Sequence, residues 1–380
     1  MKDSAVVATG APVRRGIGVN SWLPGVVHRW PEWIAFWAAI LSAEYALLAF
    51  WWTQGHPGLP SALVLDADGG DIVAWGVLER LTPGGIVVLA IVFVGVACGL
   101  VRTTRSRPVR TTGSQLTRAT LVVAAWSVAV TLLIGVPDAR LVALLAYLPA
   151  FVLGAPFDWP PVSFFDVITW PIINQLVCLV GGLVWAGAAL VFTRHVRAAC
   201  PGCGRGTEAR AWTSAAAARQ WGTAATWIAV VIPLVYATTR LAWAAGVPLG
   251  ITESFLREGQ EIGMWRAGAA LAAVAISGAW LTVGLVRPWG EIVPRWIPVL
   301  RGRRVPPLVA IVPAAVMSCL FLSAGLDAVG AFMQHGFPDE GWGTTAPTLL
   351  WPAWGVSLGL ATLGYYYRRR GRCERCGRGG

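Results

Sequence analysis

The sequence predicts an all-α integral membrane protein: eight transmembrane helices built as two parallel-oriented four-helix repeats, with both termini cytoplasmic. Three observations carry that reading. The 380-residue chain is 56% hydrophobic and only 13% charged, with a mean hydropathy of +0.61, whereas a soluble domain carries about 25% charged residues. Apolar runs long enough to span a bilayer, about 20 residues each, alternate with loops of opposite charge. Finally, one short motif occurs twice: residues 200–206 read Cys-Pro-Gly-Cys-Gly-Arg-Gly and residues 373–379 read Cys-Glu-Arg-Cys-Gly-Arg-Gly.

In order, residues 1–29 form a polar leader. It lacks the short apolar core and cleavage site of a signal peptide, so an uncleaved cytoplasmic leader is expected. The first repeat is 30–206. Its spans are Trp30–Trp52, Gly84–Val101, Ala119–Val136 and about Asp166–Phe192. The loop 53–83 carries Asp66, Asp68, Asp71 and Glu79, with Asp71 placed to cap a short amphipathic helix through Trp75 to Leu81. Leu141–Phe157 is apolar but short, contains Pro149, and reads as an interfacial or re-entrant segment between Asp138 and Asp158. A cytoplasmic linker is expected at 207–221. The second repeat, 222–380, has spans Gly222–Ala245, Trp265–Val286, Val305 to about Val329, and Thr348–Tyr367.

Charge sets the orientation. The leader, the loops 102–118, 194–219 and 287–304, and the tail hold nearly all the arginines, while the intervening loops hold most of the Asp and Glu. Basic loops stay in the cytoplasm. The same rule accounts for 30 basic against 19 acidic residues, so the excess does not signal nucleic acid. The expected partners are the bilayer of the plasma (inner) membrane and either anionic lipid or a cytoplasmic protein. The near absence of lysine (Lys2 alone) beside abundant Arg, Ala and Gly is the mark of a G+C-rich genome.

Four anchors recur in the same order: Trp33-Ile34-Ala35 and Trp227-Ile228-Ala229; Gly99 to Arg102 and Gly284 to Arg287; Trp170-Pro171 and Trp351-Pro352; and the Cys motif. Four spans per half is an even number, so the halves share one orientation and the pseudo-twofold lies along the membrane normal, as in parallel-repeat transporters. The stretches 236–251 (YATTRLAWAAGVPLGI) and 287–304 (RPWGEIVPRWIPVLRGRR) resemble segments of uncharacterised actinobacterial multi-pass membrane proteins. That resemblance implies the multi-pass architecture and brings no activity.

Cys200, Cys203, Cys373 and Cys376 are the candidate metal ligands. C-x-x-C brings two thiolates onto one tetrahedral Zn²⁺, and the Gly that follows lets the backbone fold beneath the metal. The usual spacing between pairs is about 15–20 residues, and here some 170 residues intervene. The duplication restores the pairing by placing both motifs after equivalent helices. A structural zinc site is therefore expected. A redox dithiol and two ordinary thiol pairs remain as alternatives. Cys98, Cys178 and Cys319 lie within spans and read as packing residues.

Glu44 and Arg240 are the charges well inside the expected spans. Such residues are costly and face a cavity or a partner, so they form a candidate intramembrane polar site. Their positions correspond to depths of roughly 16 and 20 Å. Tyr, Thr, Asn or Gln is expected beside Glu44, and a carboxylate or carbonyl beside Arg240. Thr169, Asn174 and Gln175 read as interhelical glue. The sequence carries no P-loop, G-x-S-x-G, H-E-x-x-H or Rossmann fingerprint, which argues against an enzyme. Two Pro-interrupted spans (Pro233, Pro313) and two like-oriented halves suit a permease; a scaffold or sensor is the alternative.

Overall fold

A computed structural model describes residues 29–56, 82–105, 112–154, 156, 164–206, 211–295 and 301–379. Most of the leader, and the expected Asp71-capped helix, lie outside these residues. The described chain is helical; one isolated β-bridge, Ile292 to Arg304, closes a hairpin.

The first half contributes α1 (Trp30–Thr53), α2 (Pro83–Arg105), α3 (Thr112–Val130), α4 (Ala139–Gly154), the single turn α5 (Phe164–Val167) and α6 (Trp170–Val196). The second contributes α7 (Ala215–Ala244), α8 (Glu253–Glu261), α9 (Met264–Val283), α10 (Pro307–His335), the turn α11 (Trp342–Thr345) and α12 (Trp351–Arg369). Seven helices (α1, α2, α3 with the π-helical turn that continues it to Gly135, α6, α7, α9 and α10) are long and apolar enough to cross a membrane. α12 is shorter, at 19 residues, and its Gly, Tyr and Arg content makes it less apolar.

Local chemistry sets the boundaries. The Trp-Pro pairs start α6 and α12, each with Pro in the first turn, where a missing N–H costs nothing. This moves the start of the fourth span from Asp166 to Trp170. The linker expected at 207–221 is helical from Ala215. Ser214 accepts a hydrogen bond from the Ala217 N–H, and the Ala-rich run after it extends the helix. The loop expected around Glu253, Glu258 and Glu261 is instead α8, capped by Thr252, whose side chain accepts from the Phe255 N–H. It buries Leu256 beneath Trp243 and Trp265. Pro233 and Pro313 lie inside continuous helices.

Within each half the long helices pair in the same order: the first packs on the second and the fourth, and the third packs on the fourth. The halves meet through α4, which packs on α6, α9 and α10, and through the π turn, which packs on α10. Ser323 of α10 donates to the carbonyls of Ile134 and Pro137 there. One apolar cluster joins both halves, with Leu141, Ile172, Ala229, Leu285, Leu320 and Tyr365 among its members.

α12 is held between α7 and α10 by glycines. A Cβ on Gly355 would fall 2.6 Å from the Leu322 N and 2.7 Å from the Ser318 O, and one on Gly364 would fall 2.8 Å from the Gly222 Cα. Gly355 and Gly359 form a G-x-x-x-G face, the small-residue contact by which membrane helices approach closely. Ser318 Oγ donates to the Gly355 carbonyl at 2.7 Å. Gly355→Val is therefore expected to cost about 1–3 kcal/mol by overpacking. Gly278→Ala, whose Cβ would meet nothing within 4 Å, should leave the thermal unfolding midpoint in detergent unchanged or raised. Equal midpoints for the two variants would contradict this packing.

Candidate metal centre

α6 runs out at Val196, and the chain turns through Ala198, a non-glycine residue with φ of 51°. The Ala199 N–H bonds the Arg194 carbonyl at 2.8 Å. The first knuckle follows. The Cys200 N–H donates to the Arg205 carbonyl at 3.0 Å, and the Gly204 N–H donates to the Cys200 carbonyl at 2.8 Å. After α12 the second knuckle repeats both bonds at the same lengths: Cys373 N–H to the Arg378 carbonyl at 3.0 Å, and Gly377 N–H to the Cys373 carbonyl at 2.8 Å. Gly204 and Gly377 have φ of 73° and 69°, a left-handed conformation that glycine adopts without penalty.

The knuckles face each other. Sγ of Cys200 lies 4.0 Å from that of Cys373, and Sγ of Cys203 lies 3.6 Å from that of Cys376. All four sulfurs are within 4.8 Å of one another. Tetrahedral Zn–S bonds of about 2.3 Å require S–S edges of about 3.8 Å, between the two measured distances. A disulfide needs about 2.05 Å, well below either. Cys98, Cys178 and Cys319 lie outside this cluster, on α2, α6 and α10.

Arginines brace the site reciprocally. Arg205 donates to the carbonyls of Gly371 and Arg378 at 2.9 Å and of Arg370 at 3.0 Å. Arg378, its counterpart, donates to the carbonyls of Arg205 and Gly206. Arg194 donates to the carbonyls of Pro201 and Gly202. Arg375 pairs with Glu32 at 2.5 Å, drawing in the start of α1. Arg205 and Arg378 were not singled out from sequence, although the shared Gly-Arg-Gly tail of the two motifs was their signal.

The thiols titrate unequally. Burial raises the Cys200 thiol, but backbone N–H groups of Cys203 and Gly202 and the thiols of Cys203 and Cys376 outweigh it and bring it down to about 7. Cys203 is pushed up to about 12 by burial, which the Arg205 N–H opposes and hydrogen bonds with the thiols of Cys376, Cys373 and Cys200 reinforce. Four sulfurs packed this closely resist sharing several charges unless a cation compensates. In metal-free protein near pH 7.5, Cys200, partly exposed where Cys203 is buried, is expected to be alkylated before Cys203. Peptide mass spectrometry after brief iodoacetamide treatment reads the order, and equal labelling would contradict the asymmetry.

Comparison with protein-family models, curated proteins and solved structures returns no match.

Glu44 and Arg240 are not brought together. Glu44 is exposed on α1 and borders a cleft of about 230 Å³ between α1, α2 and α6, near Tyr45, Phe93 and Trp185. Among the described residues its carboxylate has no hydrogen bond or ion pair. Arg240 lies four residues from the end of α7, closer to the helix end than its expected mid-depth. Its guanidinium sits between the rings of Tyr236 and Trp243, 4.5 and 4.3 Å from their centroids, and donates to the Gly343 carbonyl at 3.3 Å. The polar residues of α6 tie helices together. Asn174 accepts from the Tyr45 hydroxyl at 2.8 Å. Gln175 donates at 2.8 Å to the buried carboxylate of Asp138, the residue expected to flank the short segment 141–157.

These environments predict opposite responses. Arg240→Met loses two ring contacts, each worth about 0.5–2 kcal/mol, and should lower the unfolding midpoint. Glu44→Gln loses no partner and removes an uncompensated charge from an apolar helix, so it should leave the midpoint unchanged or raise it. Thermal unfolding in detergent separates the two.

Proposed function

We propose that the chain is a permease-like protein of the plasma membrane, with eight spans in two parallel four-helix repeats and a structural Zn²⁺ that joins the repeats at the cytoplasmic face. The observation that carries this reading is the convergence of two knuckles with identical backbone hydrogen bonds on one four-sulfur cluster. Cys200, Cys203, Cys373 and Cys376 supply the ligands, and their geometry and chemistry fit zinc better than a disulfide. The common pairing order within each half and the Trp-Pro start of both α6 and α12 support the repeat and the reading of α12 as an eighth crossing. The arginine-rich knuckle face supports a cytoplasmic clip. Transport draws support from the cleft beside Glu44 and from a larger groove in the second half.

A second reading, a non-catalytic scaffold or sensor, is favoured by one observation. Arg287, Arg295, Arg301, Arg303 and Arg304 are exposed around the hairpin at the knuckle face, and among the described residues their side chains form no ion pair. Such a surface suits an anionic lipid or an acidic cytoplasmic partner.

Elemental analysis of the purified chain tests the clip. One zinc per chain is expected, lost in Cys203→Ser with Cys376→Ser and kept in Cys98→Ser with Cys319→Ser. The metal-free form should unfold several degrees lower. Zinc retained in the first double variant would end the four-cysteine assignment. Reporter fusions at 205 and 340 test orientation, with cytoplasmic signal expected at 205 alone.

A further inference from the structure

The two knuckles are held together by backbone as well as by sulfur. Arg205 donates to the carbonyls of Arg370, Gly371 and Arg378. Arg378 answers through the carbonyls of Arg205 and Gly206, and Arg370 reaches the Cys203 carbonyl. Each of these bonds runs from one knuckle segment to the other. Charge-assisted bonds of this kind are stronger than neutral ones, so the brace keeps the knuckles face to face without help from the sulfurs.

That brace sets which sulfurs meet. Cys203 Sγ faces Cys376 Sγ at 3.6 Å, and Cys200 Sγ faces Cys373 Sγ at 4.0 Å. Both pairs cross from one knuckle to the other. From 3.6 Å, a sulfur–sulfur bond of about 2.05 Å needs an approach of about 1.5 Å, within reach of side-chain rotation. Access to the two sulfurs differs: Cys376 is half-exposed and Cys203 is buried. A small oxidant in water therefore meets Cys376 first, with Cys203 directly behind it. An accessible thiol with a second thiol poised beside it is trapped as a disulfide before it oxidises further.

The chemistry balances with a peroxide as the co-reactant. The Cys376 sulfur attacks one oxygen of hydrogen peroxide, the O–O bond breaks, and a sulfenic acid and one water form. The Cys203 sulfur then attacks the sulfenic sulfur. The S–O bond breaks, and the oxygen leaves as a second water with the thiol protons. Two thiols and one peroxide thus give one disulfide and two waters. The sulfurs lose two electrons and the peroxide gains them. Where the cysteines start as metal-bound thiolates, the two protons come from solvent, and two of the four ligands are left.

We propose that the cysteine cluster is an oxidation site for a small peroxide, at which a disulfide closes between Cys203 and Cys376, across the knuckles. Metal and disulfide are then alternative ties between the same two points of the chain, 173 residues apart. The ends of α6 and α12 stay joined in either state. The proposal rests on the sulfur positions and the arginine brace alone. It stands whether or not the cluster takes zinc and whether or not the chain is a permease.

The test uses the full chain in detergent, stripped of metal by a chelator, with hydrogen peroxide as the probe and iodoacetamide to block the remaining thiols. Trypsin without reduction releases residues 198–205, 373–375 and 376–378 as separate peptides, so each possible disulfide has its own mass. The expected main product is 198–205 joined to 376–378, in several-fold excess over a bond within 198–205 or one joining 373–375 to 376–378. Fragmentation of that pair should place the bond on Cys203. The product should persist in Cys200→Ser and vanish in Cys203→Ser, and the wild-type fragmentation decides the matter even where a variant fails to fold. A predominant bond within either knuckle overturns the proposal, as does sulfinic acid in place of a disulfide. So do bonds between chains on a non-reducing gel, or the same product pattern in chain unfolded by dodecyl sulfate. Zinc is measured on a separate sample. A chain that purifies without zinc yet forms this bond refutes the metal and keeps the disulfide, so the two failures are read apart.

Discussion

Four sulfur atoms held within 4.8 Å of one another draw two points of the chain 173 residues apart to one place, and much of the knuckle face is arranged around that meeting. Arg370 reaches the carbonyls of Cys203 and Thr213, tying the end of α12 to the start of α7. Arg368 and Arg369 donate to the carbonyls of Leu285 and Val305 and pair with Glu291, which fixes the hairpin between α9 and α10. Arg375 takes hold of α1 through Glu32. Arginine suits this work because its fork serves several carbonyls while staying charged. In most of these contacts the guanidinium satisfies backbone oxygens at helix ends and turns, where the helix dipole adds to the attraction.

Much of the architecture was legible because the bilayer simplifies the code. A span needs a long apolar run, and seven such runs became long helices. The four cysteines were legible for a different reason. Neither C-x-x-C pair is compelling alone at a separation of some 170 residues, but each follows the helix that a Trp-Pro pair begins. The motif and the anchor together placed both thiol pairs on one face before any distance was known. Asn174 and Gln175 were legible as glue because an amide within a span needs a partner.

What stayed hidden depends on contacts that apolar periodicity does not encode. α8 was lost in an acidic loop because its signature is a Thr252 cap and one buried leucine, not a hydrophobic run. The start of α7 was lost because Ala-rich sequence extends a helix past the membrane boundary without changing hydropathy sharply. Arg240 was read as a mid-depth charge by counting from Trp227, a count that ignores where the helix ends. Its stabilisation by Tyr236 and Trp243, four residues before and three after on its own helix, was within reach of helical periodicity.

The halves differ where they are free to differ. Their knuckles match bond for bond, since four sulfurs about one centre tolerate little deviation. Away from that centre the constraint relaxes. The first half keeps α2 against α3, while the second lets α9 and α10 part and sets α4, which has no counterpart, across the opening. This distribution bears on motion. If the clip holds metal, the knuckle ends of α6 and α12 form a fixed pivot, and relative movement of the halves grows with distance from it. The contacts that must yield are then those of α4 and of Ser323 with the π turn, not the tightly apposed glycines of α7, α10 and α12. A permease built this way would open at the end remote from the cysteines, and a scaffold would use the same tie to hold its basic face in one shape. The two readings therefore diverge at α4 and agree at the clip.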